Sequence, residues 1–288
     1  MGAVTMERKS STINSSLWEG IKHGDLLKPL WVKIALLCIA LYFGLTFDGE
    51  ATYWPSMLTS YTAASLFLLW QARKNHEATS LKTLKQEMFP KNIWLHPSTL
   101  QDLVMTLLTF IVFLHILPNL FLPQSGTMVS SILILQSLGI DQSSNSPAFF
   151  AIALYVVLAI AVSDLFYYVS HRLTHEIPIL WEFHKVHHSA EVLTPLTVYR
   201  IHPLDLWFNQ SFRNIGAGIV SGIFFYLYPH SSSLLIIAST HTGLILTHLA
   251  LANLRHSHIW ISFGPTLEHV LISPAQHQIH HSTTPKHF

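Results

Sequence analysis

The sequence predicts an all-α, multi-pass integral membrane protein: four transmembrane helices and a short hydrophobic hairpin, with a histidine-rich cytoplasmic cap. Three observations carry that prediction. Hydrophobic residues make up 50% of the 288 and charged residues only 11%, less than half of the roughly 25% found in ordinary globular chains. Apolar runs recur at close to the roughly 20 residues that cross a bilayer as helix. Finally, 20 residues are His and one is Cys (Cys38). A single Cys excludes a disulfide scaffold, a Cys-type zinc site and an iron–sulfur cluster. A net charge of +1 leaves no electrostatic footprint for nucleic acid.

Residues 1–27 are polar and lack the apolar core of a signal peptide, so no cleaved leader is expected. Apolar runs come next at 30–47, 53–70, 103–122 and 149–168, each read as one span. Two more, 215–228 and 233–252, flank Pro229-His230-Ser231. The first of these is short and contains Gly216, Gly218 and Gly222. The pair reads equally as a re-entrant hairpin, two tightly packed helices or two clean spans. The Lys/Arg distribution gives the orientation. Arg8, Lys9, Lys22, Lys28 and Lys33 precede or open the first run, and Arg73, Lys74, Lys82, Lys85 and Lys91 come after the second. The connections near Asp48 and across 123–148 have none, which places the N-terminus in the cytoplasm by the positive-inside rule. Arg172, Lys185, Arg200 and Arg213 then fall on that same side. Residues 1–147 read as the N-terminal segment with three spans, and 148–288 as the catalytic region.

Eight histidines fall in three boxes: His171 and His175; His184, His187 and His188; His277, His280 and His281. Spacings of three and four place side chains on one helix face, so each box can present its imidazoles to a common point. Neutral imidazole is a ligand for iron, zinc, copper or nickel, and eight nitrogens exceed what one tetrahedral ion uses. Two adjacent ions match the count better. Isolated histidines such as His23, His76, His96, His115 and His230 need no such role. His175-Glu176 is not the start of an H-E-x-x-H zinc-protease helix, because position 179 is Ile179. Glu176, Glu182 and Glu191 lie near the boxes, but nothing marks them as a catalytic base rather than solvated or capping acids. A nitrogen-rich, carboxylate-poor dimetal centre at a membrane face suits activation of dioxygen for attack on lipid C–H bonds.

These residues resemble the fatty acid hydroxylase/sterol desaturase superfamily of membrane-bound non-haem di-iron oxygenases, in particular its bacterial sterol desaturase branch. The likeness runs from Phe89-Pro90-Lys91-Asn92-Ile93-Trp94-Leu95-His96, through Ser163-Asp164-Leu165-Phe166-Tyr167-Tyr168 and the first two boxes, to Arg200-Ile201-His202-Pro203 and Ser273-Pro274-Ala275-Gln276-His277. The resemblance implies two iron ions, with zinc as a substitute in isolated protein. It also implies a lipid substrate, O₂ and a separate electron donor (a ferredoxin, a cytochrome b5-like protein or a reductase), in a bacterial inner membrane. In the family a further His between the second and third boxes completes the shell, and His248 best matches that place. Relatives carry a His where this chain has Leu251, which leaves either a smaller ligand set or a substitute from His256 or His258. Relatives also continue past the third box, so the sequence ending at Phe288 reads as truncated.

Asp164 sits in an apolar helix, where a carboxylate is costly unless paired or functional. Seven residues before His171 and eleven before His175, it reads as an acceptor of a ligating imidazole N–H; the alternative is a helix end already hydrated at that point. His202 fits either a supporting role or a turn imidazole. His241 shares a helix face with His248 and reads first as core. Two rival functions use the same boxes: a zinc or iron transporter, disfavoured because transporters place polar ligands near the midplane, and a zinc-dependent membrane hydrolase, disfavoured by the missing carboxylate pattern.

Overall fold

In a computed structural model of the chain, the described residues are 54–115 except 78, 123–229 except 144–146 and 148, and 252–287. The run at 30–47 and nearly all of that at 233–252 lie outside them, as do His23, His230, His241 and His248. Every regular element among the described residues is helical. In chain order they are α1 (Trp54–Lys74), α2 (Leu81–Met88), α3 (Lys91–Trp94), α4 (Pro97–His115), α5 (Gln124–Ser137), α6 (Phe149–Glu176), α7 (Pro178–His184), α8 (Pro203–Leu227), α9 (Ala252–Arg255) and α10 (Pro274–His280). Single 3₁₀ turns at His187–Ser189 and Pro195–Tyr199 join α7 to α8, and others lie at Leu267–His269 and Pro285–His287.

Helix α6 has 28 residues, about 42 Å at 1.5 Å per residue, against a hydrocarbon layer of about 30 Å. Among the described residues it is the helix long and apolar enough to cross a membrane. Phe149, Phe150, Leu154, Val157, Leu158 and Leu165 form an exposed stripe along it at helical spacing. Water would disfavour such a stripe, whereas lipid satisfies it. On the opposite face Tyr155 is buried with Val220 and Phe224 of α8. With the apolar run of 149–168 in the bilayer, the last two turns of α6 project beyond it and carry His171 and His175.

The apolar run at 215–228 is the second half of a longer helix. In α8 the polar residues Asp205, Asn209, Gln210, Arg213 and Asn214 occupy the first three turns, so hydropathy alone detects only the later, apolar turns. The start is fixed locally: Pro203 stands in the first turn, and His202 Nδ1 accepts from the Leu204 N–H at 3.1 Å. His202 is therefore the N-cap of α8. The glycines of α8 let two neighbours approach. A Cβ at Gly216 would stand 2.9 Å from the Val162 carbonyl oxygen of α6. At Gly218 it would stand 2.6 Å from Thr127 Cβ, and at Gly222 2.6 Å from the Met128 carbonyl oxygen, both on α5. Gly218 and Gly222 form the small-xxx-small pattern of close membrane helix pairs. Ser221 Oγ lies 3.2 Å from both Tyr155 Oη and Gln124 Nε2, adding a polar tie between the three helices.

A second core holds Ala64 of α1, Met88 of α2 and Leu254, Ile259 and Ile261. It seats the segment leading from α9 into α10. The cap is thus gripped on one side by α6 and α8 and on the other by α1 and α2.

Candidate metal centre

The three boxes converge, but each does not face one point. The imidazoles sort into two groups. His171, His175, His184, His188 and His280 form one, and His187, His256, His277 and His281 the other; within each group one nitrogen per residue lies within 4.8 Å of the rest. Residue spacing explains part of the division. The pairs 171/175 and 184/188, four apart, share a side and join the five-membered group, while 277/281 join the four-membered one. The middle His of the second and third boxes, His187 and His280, crosses to the other group. The two groups abut: the rings of His188 and His281 stack with centroids 4.4 Å apart.

The distances inside each group fit a common ion. His171 Nε2 lies 3.0 Å from His280 Nε2. His256 Nε2 lies 3.1 Å from His187 Nε2 and 2.9 Å from His277 Nε2. Two nitrogens about 2.1 Å from one metal and at right angles would stand about 3.0 Å apart. Other nitrogens are buried with no protein hydrogen bond, namely His184 Nε2 and both nitrogens of His281. Buried polar atoms left unpaired are costly unless something else satisfies them. The donor set, all imidazole, suits iron, zinc, copper or nickel.

Burial first, and neighbouring imidazoles next, lower the pKa values of these residues. His188 falls to about 2, His256 to about 3 and His280 to about 4. His187 and His277 are held well below the ordinary imidazole value, and His281 is lowered as well. In His256 the cation of Arg255 comes after burial as a cause. All six are neutral at physiological pH, with lone pairs available to a metal.

Each group has an anchor. His184 Nδ1 is 2.9 Å from Asp205 Oδ2, and both side chains are inaccessible to solvent (3% and 0% exposed). With Nδ1–H donating to the carboxylate, the Nε2 lone pair faces the cluster, as in carboxylate–histidine–metal triads. Asn209 Nδ2 donates to Asp205 Oδ1 at 2.7 Å, and the Ser170 hydroxyl donates to Asn209 Oδ1 at 2.7 Å. This chain of hydrogen bonds ties α6, α7 and α8 together at the site. In the other group His187 Nδ1 is 3.3 Å from the Arg200 carbonyl oxygen. Trp181 covers the five-membered group, its ring 5.3 Å from His175 and 5.6 Å from His188.

All eight box histidines lie in the two groups. The ninth member is His256, one of the substitutes the sequence offered, whereas His248 lies outside the described residues. His258 turns away and its Nε2 meets the Glu87 carbonyl at 2.7 Å. Asp164 is exposed on α6, and the carboxylate hydrogen-bonded to a clustered imidazole is Asp205. Burial pulls the Arg255 guanidinium below its usual value, and Asp164 opposes that shift, so the Asp164 charge acts on Arg255. The nearby acids are engaged with basic residues at the surface: Glu176 with Arg172 at 2.7 Å, and Glu182 with Lys185. Asp205 does not stand out in the sequence, because an acid in the first turn of a helix reads as a complement to the helix dipole. The isolation of that acid among Leu204, Leu206, Trp207 and Phe208 was the signal that could have found it.

Comparison with known proteins covers the same region. Residues 156–288 match the family model described as fatty acid hydroxylase. An ornithine lipid hydroxylase from Rhizobium tropici is 27% identical over 133 residues, 45% of this chain and 35% of that protein. An alkylglycerol monooxygenase from Danio rerio is 31% identical over 128 residues, 44% of this chain and 25% of that protein. A fatty acid hydroxylase from a Lecanicillium species is 45% identical over 40 residues, 14% of this chain and 11% of that protein. The matches thus span about a third or less of each relative's length. No solved structure matches the chain.

Proposed function

We propose that the chain, whose residues 156–288 match the fatty acid hydroxylase model, is a member of that family and a membrane enzyme that hydroxylates or desaturates a lipid. Its two imidazole groups would each hold one iron. The observation that carries this reading is the division of nine buried or half-buried histidines into two adjoining groups. An ion in each would supply the activation of O₂ that oxidation of an aliphatic C–H bond requires, with electrons from a separate donor protein. The relatives' names share a lipid as the molecule acted on, so the substrate class is a lipid chain delivered from the bilayer.

The protein's own part is to hold neutral ligands in place and to keep water out. Asp205 fixes the tautomer and ring plane of His184 by accepting from Nδ1, and Asn209 holds Asp205 in register. The Arg200 carbonyl does the same for His187. Tyr167 stacks on His171 with ring centroids 5.8 Å apart. Arg213 lies over the Tyr167 ring at 4.4 Å and stiffens that wall of the site. The first box stands in the last two turns of α6, which suits chemistry at a membrane face better than ion passage through the midplane. The full topology belongs to the same reading: four spans and a hairpin, a cytoplasmic N-terminus, the boxes on the cytoplasmic side of a bacterial inner membrane.

The test is metal analysis of purified protein, with O₂ consumption monitored on adding a reductant and a lipid extract. Two irons per chain with lipid-dependent uptake is the expected result. Zinc alone with no uptake would count against an oxygenase.

A further inference from the structure

The second anchor rests on a buried pair that the hydroxylase reading does not use. Asp102 of α4 and Arg200 are 98 positions apart in sequence and 0% and 3% exposed. Every N–H of the Arg200 guanidinium is engaged. Nε donates to Asp102 Oδ1 at 2.5 Å. Nη1 donates to the Ser189 carbonyl at 3.0 Å and to its Oγ at 3.3 Å. Nη2 donates to the Ser98 carbonyl at 2.6 Å and to its Oγ at 3.0 Å. The other carboxylate oxygen, Asp102 Oδ2, accepts from Thr197 Oγ1 at 2.7 Å.

The clamp closes the segment between Ser189 and Arg200, and its two ends bear on the second His box. Ser189 comes directly after His187 and His188. Arg200 supplies, through its own backbone carbonyl, the acceptor for His187 Nδ1. The other nitrogen of that ring, Nε2, faces His256. A displacement of Arg200 therefore moves the acceptor that orients His187, whereas His184 is oriented by Asp205 and does not depend on it.

We propose that Asp102 and Arg200 are positioning residues for the four-imidazole site, setting the tautomer and ring orientation of His187 through the Arg200 carbonyl. The inference rests on reading the two groups as two metal sites. A backbone acceptor needs something to hold it rigid, and a five-donor guanidinium locked by a carboxylate on another helix is such a device. Lysine could keep the charge but not the fork.

The test compares full-length wild type, Asp102→Asn, Arg200→Lys and Asp205→Asn, each titrated with Co²⁺ and monitored by metal content and the visible ligand-field spectrum. Loss of supporting partners typically weakens metal binding by about 10–100-fold. Asp102→Asn and Arg200→Lys are expected to weaken one site by that factor and leave the other at wild-type affinity; Asp205→Asn is expected to do the reverse. A general loss of structure would lower both sites together. Thr197→Val and Ser98→Ala each remove one hydroxyl from the network, and serve where the charge variants do not yield folded protein; they are expected to shift the same site by a smaller factor. Parallel loss at both sites, or wild-type affinity at both in the folded variants, overturns the proposal. A wild type that takes up fewer than two ions overturns the two-site reading instead.

Discussion

The two imidazole groups share the second and third boxes but are held by different means. The five-membered group is anchored by a side-chain carboxylate: Asp205 grips His184, with Asn209 and Ser170 behind it, all on α6, α7 and α8. The four-membered group is anchored by a backbone carbonyl, itself fixed by a guanidinium that reaches across to α4. The first group depends on packing between neighbouring helices, the second on a clamp between distant parts of the chain. His256, which completes the second group, also comes from a remote segment seated on α1 and α2. Four of the five imidazoles of the first group should therefore come together with the α6–α8 unit alone, His280 joining from α10, whereas of the four-membered group that unit supplies only His187.

Substitution of a clustered histidine gives the largest break in that comparison. His256→Ala is expected to empty the four-imidazole site and to lower turnover by more than about 100-fold, beyond the usual cost of losing a supporting residue. The five-imidazole site should stay loaded, with one iron per chain left by elemental analysis. Two irons and full turnover would remove His256 from the ligand set. Asp205→Asn keeps the size of the side chain but weakens the acceptor for His184 Nδ1. A fall of about 10–100-fold in metal affinity, confined to the other site, is expected, and a metal titration reads it directly.

Gly222→Ala tests the scaffold rather than either anchor. Its Cβ would stand 2.6 Å from a carbonyl oxygen and from Ser131 Cβ of α5. Overpacking of this kind costs about 1–3 kcal/mol, so a lower melting temperature in detergent is expected, with both sites equally affected in the surviving fold. A site-specific loss would mean that α5 supports one group alone. The smallest effect is expected of Arg172→Ala, which removes an exposed i,i+4 pair with Glu176. Surface pairs of this kind contribute little, and both metal content and melting temperature should match wild type.

The range of each interaction decides how much of this was written in the sequence. The boxes were legible because imidazoles three and four apart share a helix face whatever the fold. Their division into five and four was not, because His187 and His188 are adjacent in sequence and face different groups, as do His280 and His281. Which group each joins depends on how α6, α7 and α10 meet. The short apolar run at 215–228 understates α8, whose first turns are polar and include Asp205 and Asn209, which support His184. Asp164 drew attention for sitting in an apolar helix. Asp205 and Asp102 lie outside the apolar runs and near helix starts, where an acid reads as ordinary, and only tertiary contact shows that Asp102 meets Arg200. His202 resolved as a helix cap because Pro203 comes next in the chain.

The most direct test of the central claim is an anomalous-scattering map of crystals of iron-loaded protein. The account predicts two separate peaks, each about 2.0–2.3 Å from imidazole nitrogens. One should be bounded by His171, His175, His184, His188 and His280, and the other by His187, His256, His277 and His281. A single peak, or one ion drawing its ligands from both groups, would contradict it.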